Sequence, residues 1–172
     1  MGFKGVIRAV KRSLLRPMQL LGRDKYIRYL CWCYRDIIQF AQKPPRFIAA
    51  DVSFDKSGGI HVGEGVTIAS MTAILTHDYS VDYGLMAIGE QDPSHEKKIQ
   101  KDVYIGDQTF IGQRCIILPG VKIGNNCIIG AGALVARDIP DRSVAAGVPA
   151  KVIDSTDNWI GKRLERDGEF IV

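Results

Sequence analysis

The stretch Ile99–Pro140, cut into sixes, reads IQKDVY, IGDQTF, IGQRCI, ILPGVK, IGNNCI, IGAGAL, VARDIP. An aliphatic residue opens every block: Ile99, Ile105, Ile111, Ile117, Ile123, Ile129 and Val135. The fifth place is small or apolar throughout (Val103, Thr109, Cys115, Val121, Cys127, Ala133, Ile139), and the second is Gly in four of the seven. A period of six fits neither a helical face nor a lone alternating strand. It predicts a solenoid in which each block is a short strand plus a turn. The first and fifth places point inward, and the Gly supplies a turn conformation closed to other residues.

Outward from this core the period weakens by steps. Upstream, VGEGVT, IASMTA and ILTHDY, opened by Val62, Ile68 and Ile74, supply three more blocks. Ile48 and Phe54 are six apart, before Ser57, Gly58 and Gly59 loosen the register. Between about Asp78 and Gln100 the repeat breaks into an irregular excursion marked by Pro93 and mixed charge, and a long loop interrupting a regular solenoid is where binding sites are built. After Pro140, DRSVAAGVPAKVI leaves the repeat, and the charged tail from Asp154 carries a short helical pattern at Trp159, Ile160 and Leu164, read as a cap over the last coil. The expected division is a basic amphipathic helical segment at 1–45, a β-helix at 46–153 with its excursion at 78–100, and a C-terminal cap at 154–172.

The repeats, the T-H-D at Thr76–Asp78 and the AGVPAK at Ala146–Lys151 resemble the hexapeptide-repeat acyltransferases of the sugar O-acetyltransferase type, similar to galactoside and maltose acetyltransferases. The resemblance covers about residues 46–153. It implies a mainly β chain folded as a left-handed parallel β-helix and assembled as a homotrimer, to which the patterns in the flanking segments add N-terminal helices and a short C-terminal helical cap. Left-handedness follows from the resemblance alone, because parallel crossovers are otherwise right-handed. The implied donor is acetyl-CoA, its pantetheine arm lying along the solenoid between two subunits. Matching GAGALVAR to the family's motif places the backbones of Ala131 and, one coil earlier, Gln113 against the arm. Phe110 falls beside the thioester end, and Arg137 and Lys151 lie near the phosphates, where cations suit a polyanion; otherwise the two are solvated surface cations.

Three histidines are present. His77 matches the family's catalytic histidine, and the chemistry needs one: an alcohol is a poor nucleophile at neutral pH, and an imidazole can take its proton as it attacks a thioester. Asp78 adjoins it as a candidate to orient the ring, although neighbouring side chains on a strand point to opposite faces. His61 reads as a surface residue and His95 as a polar loop residue. Their spacings from His77 do not fit the three-imidazole zinc site of β-helical carbonic anhydrases, so no metal is expected. A phosphate-binding Gly-Lys-Ser loop, a G-x-S-x-G elbow and a paired-Cys motif are all missing. Cys115 and Cys127 occupy inward places, and Cys31 and Cys33 point to opposite sides of a helical pattern, so all four read as free structural thiols.

The formal net charge of +4 conceals an asymmetry: residues 1–43 carry ten Lys or Arg against Asp24 and Asp36, a balance of +8. Val6, Val10, Leu14, Met18 and Leu21 recur along one face with Lys4, Arg8, Arg12 and Arg16 beside them, until Pro17 should kink or end the helix. A second pattern runs through Tyr26, Ile27, Leu30, Tyr34, Ile37, Ile38 and Ala41. Two readings stand: a peripheral anchor drawn to anionic lipid, or helices that cap the solenoid and pack on a neighbouring subunit. Nothing approaches the roughly 20 apolar residues of a membrane span, and no apolar run follows the basic start as in a cleavable signal peptide. The expected location is the cytoplasm, at the inner face of the membrane on the anchor reading, with no nucleic-acid partner. The expected activity is acetyl transfer to a sugar hydroxyl in surface-polysaccharide or lipid-linked saccharide biosynthesis. An N-acetyltransferase of an amino sugar or antibiotic, or a non-catalytic scaffold, are the alternatives.

Overall fold

A computed structural model describes residues 13–90 and 94–167. The cationic row from Lys4 to Arg12, Pro93 and the last five residues lie outside them.

Short strands stack into three parallel sheets that the chain visits in rotation. Ile38–Phe40, Ile60–Val62, Val103–Ile105 and Lys122–Ile123 form the first. Phe47–Ile48, Thr67–Ile68, Phe110–Ile111, Ile128–Ile129 and Ser143–Gly147 form the second, which Ala150–Ser155 extends antiparallel. Ser53–Phe54, Ala73–Ile74, Ile116–Ile117 and Leu134–Val135 form the third. Each circuit adds one strand per sheet, which makes the chain a parallel β-helix. Tyr104 pairs with Lys122, Phe110 with Ile128 and Ile116 with Leu134, each one coil of 18 residues apart. Thr67 also pairs with Phe110, so the excursion leaves the register intact.

Columns of like residues fill the interior. Ile48, Ile68, Ile111, Ile129 and Ala145 stack on one side, Phe54, Ile74, Ile117 and Val135 on another, and all are buried. Each such aliphatic side chain contributes about 1.5–3 kcal/mol. The seven fifth-place residues are buried as the period requires, and so are the block-opening residues from Ile105 onward. Ile99 departs from the pattern: it is 40% exposed and pairs with Asp78 in a two-residue antiparallel ladder, His77–Asp78 against Ile99–Gln100, that closes the neck of the excursion. The coil resumes at Val103.

The turns correct the role assigned to the glycines. Positive φ occurs at the fourth place of seven blocks, at Gly65, Met71, Gln108, Arg114, Gly120, Asn126 and Gly132. The second-place glycines Gly106, Gly112, Gly124 and Gly130 do not adopt it. They answer a different demand, because a Cβ on Gly112 would meet the Ala131 amide nitrogen at 2.6 Å and one on Gly106 the Gly124 carbonyl carbon at 2.6 Å. Close stacking of coils excludes the side chain. At one corner a column of side chains stitches the coils together: Asp141 accepts from the Asn125 N–H, Asn125 from the Asp107 N–H, and Asp107 from the Glu64 N–H, each at 2.8 Å.

At the N-terminal end, α1 (Leu15–Met18) holds Pro17 in its first turn, where a missing N–H costs nothing. A 3₁₀ turn, Gln19–Leu21, then stops at Gly22 with φ 96°. Helix α2 (Arg23–Tyr34) buries Tyr26, Ile27, Leu30, Cys33 and Tyr34 over the open end of the coil. The Tyr26 hydroxyl donates to the Ile48 carbonyl at 2.6 Å, and the Tyr34 ring meets Phe54 edge-on at 4.9 Å. The helical pattern expected to reach Ala41 therefore ends at Tyr34, and Ile38–Phe40 already belongs to the first sheet. The excursion is less irregular than expected, since it contains α3 (Ser80–Ala87). Helix α4 (Thr156–Asp167) is tied to the last coil by Arg142–Asp157 bonds and by Thr156 Oγ1 on the Asn126 carbonyl at 2.8 Å. Of its apolar residues Trp159 is half-buried, while Ile160 and Leu164 stay exposed. None of the described helices is long and apolar enough to cross a membrane. The four cysteines are free.

Candidate active site

The third-sheet strand Ala73–Ile74 delivers Thr76 and His77 to the neck of the excursion, one coil above Ser53–Phe54, with which it pairs. That pairing brings Asp55 under them. Asp55 Oδ2 accepts the Thr76 N–H at 2.8 Å, the Thr76 hydroxyl at 2.7 Å and His77 Nδ1 at 2.5 Å, while Oδ1 accepts the Ser57 N–H at 3.0 Å. The Thr76 hydroxyl in turn accepts from the Gly58 N–H at 2.8 Å. Burial alone would raise the Asp55 carboxyl, but the bonds from Thr76, then His77 and Ser57, outweigh it and hold the group well below the usual carboxylate range. An ionised carboxylate only accepts, so His77 Nδ1 must carry the proton. The lone pair of the neutral ring then sits on Nε2, which has no partner among the described residues. Tyr79 packs edge-on against the ring, centroids 5.2 Å apart.

Asp78 does not orient the ring. Its carboxylate accepts the Ser80 N–H at 2.8 Å and the Ser80 hydroxyl at 2.9 Å, an Asx-turn that starts α3. The Ser80 bonds hold Asp78 below its ordinary range. The orienting carboxylate is Asp55, which no reading of T-H-D as a local motif finds. Its signal is an acid about one coil upstream of the histidine, and the spacing in the loosened first coil, where Ser53 pairs with Ala73, hides it.

Of the residues matched to the donor site, four gather in two pairs and Phe110 stands alone. Phe110 stands outward on the second sheet, exposed. Gln113 and Ala131 stack one coil apart at the turn into the third sheet, where the Gly132 N–H donates to the Gln113 carbonyl at 2.7 Å. Arg137 and Lys151 share a cavity of about 400 Å³ with Ala136, Pro149 and Ala150. Neither cation has a side-chain partner among the described residues, so the cavity suits an anionic group. None of the five is a ring partner of His77, which meets Asp55 and Tyr79.

The other histidines are engaged elsewhere. His61 lies 3.2 Å from Asp102 and stacks on Tyr104 at 4.1 Å, and His95 bonds to Ser94. Among the described residues no His, Cys, Asp or Glu group is arranged to hold a metal.

Residues 102–137 match the family model described as bacterial transferase hexapeptide (six repeats). YvoF of Bacillus subtilis (strain 168), whose acetyltransferase name is itself provisional, is 31% identical over 95% of this chain and 86% of its own length. The galactoside O-acetyltransferase of Escherichia coli (strain K12) is 33% identical over 62% of this chain and 59% of its own. The lipopolysaccharide biosynthesis O-acetyl transferase WbbJ of Escherichia coli (strain K12), also provisionally named, is 34% identical over 55% and 53%. The chain thus spans a little over half the length of the last two. Among solved structures, a maltose O-acetyltransferase from Clostridium difficile 630 matches with a TM-score of 0.57 and 25% identity, covering 87% of this chain and 88% of that one. A galactoside acetyltransferase in complex with coenzyme A matches in fold, with a TM-score of 0.59 and 21% identity over 96% and 86%.

Proposed function

Because the chain belongs to the hexapeptide-repeat acetyltransferases, and is therefore an acyltransferase, we propose that it moves an acetyl group from acetyl-CoA to a hydroxyl of a sugar, with His77 as general base. The observation that carries this reading is the Asp55–His77 pair, which fixes the proton on Nδ1 and leaves the Nε2 lone pair open. In the proposed reaction the acceptor O–H gives its proton to Nε2 as its oxygen attacks the thioester carbonyl carbon. The tetrahedral oxyanion collapses, the C–S bond breaks, and the imidazolium returns the proton to the departing thiolate. Transfer is direct. The cysteines favour no acyl-enzyme, since burial pushes the Cys115 and Cys127 thiols up and Cys31 to about 11.

The donor's phosphates are assigned to the Arg137–Lys151 cavity and its pantetheine arm to the Gln113–Ala131 turns, with Phe110 beside the thioester. These residues do not meet His77 within one chain, which supports a homotrimer whose site is shared between neighbours, on a coil of the family's left-handed kind. The catalytic unit is the coil with its excursion, flanked by the N-terminal helices and α4, and the proposed setting is the cytoplasm. The acceptor class is read from relatives named for galactoside and lipopolysaccharide O-acetylation, and a lipid-linked or surface saccharide is the acceptor this favours. A panel of free saccharides, lipid-linked saccharides and amino sugars, each assayed for thiol release from acetyl-CoA, tests it. Turnover with hydroxyl acceptors is expected; turnover confined to amines would overturn the O-acetyl reading.

A further inference from the structure

Two open cavities adjoin at the start of α2 and share no residue with the His77 site or the Arg137–Lys151 cavity. The first, of about 400 Å³, brings Arg23 and Arg28 of α2 against Arg46, with Ile27 and Pro45 between them. The second, of about 520 Å³, shares Arg23 and Arg28 and adds Lys25 and Leu21. Asp24 lines both and is the single carboxylate there, 3.7 Å from Arg23. Arg28 and Arg46 have no side-chain partner among the described residues. These two come from separate elements, so the fold itself sets like charges together. Such a cluster is relieved by an anion, and guanidinium forks match a phosphate bidentately.

Beside the cations stands exposed apolar surface. Leu21, which lines the second cavity, is 56% exposed, and its neighbour Leu20 on the same 3₁₀ turn is 88% exposed. A soluble phosphate compound would engage the arginines and leave both leucines in water. An amphiphile with an anionic head engages both features. We infer that this surface binds the phosphate of an anionic phospholipid headgroup in the Arg23–Arg28–Arg46 cavity, with Leu20 and Leu21 entering the acyl boundary of the leaflet. The site stands independently of acyl transfer, and it holds the enzyme at the surface where a lipid-linked acceptor would lie.

The test is flotation of the full chain with phosphatidylcholine vesicles, with and without phosphatidylglycerol, for wild type, Arg28→Ala/Arg46→Ala and Leu20→Ser/Leu21→Ser. At about 1 kcal/mol per cation near an anionic surface, the arginine pair should lower partitioning about 30-fold. Wild-type binding should require phosphatidylglycerol and fall as salt rises. The leucine pair should weaken vesicle binding while leaving retention on an immobilised glycerol phosphate unchanged. Arg28→Lys/Arg46→Lys, which keeps the charges without the forks, should fall between wild type and the alanine pair. Equal flotation of wild type and the arginine variant would overturn the proposal, and so would binding to pure phosphatidylcholine or binding to glycerol phosphate without flotation. Thiol release with a soluble saccharide should be unchanged in all three variants, which separates failure of this inference from failure of the transferase reading.

Discussion

A carboxylate that takes three hydrogen bonds on one oxygen is held ionised, and Asp55 does so from Thr76 and His77. Its folded carboxyl lies below the usual range, so the stability it contributes is fully present above the unfolded value of about 3.9 and is lost as pH falls through the folded one. Asp55→Asn should therefore lower the melting temperature at neutral pH by the equivalent of about 1–3 kcal/mol. The gap to wild type should stay constant down to about pH 5 and close in stronger acid. A gap independent of pH would contradict an ionised Asp55. The same substitution should lower kcat on the order of 10²-fold or more, because an amide turned to Nδ1 selects the wrong tautomer. Asp78→Ala should behave oppositely: kcat near wild type, with faster amide exchange across Ser80–Ala87 as the turn that starts α3 is lost.

At the scale of the element, the turns separate two kinds of glycine that look alike in sequence. A Cβ at Gly124 would run into Asp141, including its backbone nitrogen, which cannot swing aside as a side chain can. Gly132 has φ 73° with nothing within 4 Å of a Cβ. Gly124→Ala should cost about 1–3 kcal/mol, whereas Gly132→Asn should be close to neutral, since Asn126 already holds φ 55° one block earlier. Denaturant titration of both variants checks this, and equal costs would contradict it. In the cap, Leu30→Ala should cost about 2–5 kcal/mol, because Leu30 is fully buried over the first coil. What the sequence made legible here was the six-residue period, which placed the coil and the stacked turns of Gln113 and Ala131. It could not separate the two glycines, because φ and close approach leave the same letter. Ile38 reads equally as a helical face or a strand, and only pairing with Ile60 decides. Gly84 masks α3 by lowering its propensity. Asp55 lies beyond any local motif, joined to His77 only by the stacking of coils.

Across the whole molecule, the proposed reaction draws on parts that share no lining residue or contact within one chain, the Asp55–His77 pair and the Arg137–Lys151 cavity. In a mixed assembly of His77→Ala with Arg137→Ala/Lys151→Ala, some sites pair an intact base with an intact donor cavity. Refolding the two inactive variants together should restore a fraction of wild-type turnover, with sedimentation reporting trimers. Failure of trimers to recover any activity would contradict a site shared between neighbours. The central claim is the base itself, and the most direct measurement is thiol release from acetyl-CoA in the presence of an accepting saccharide, comparing wild type with His77→Ala. A fall in kcat of about 10²- to 10⁴-fold with acetyl-CoA binding intact is the predicted result; unchanged transfer by His77→Ala would contradict it.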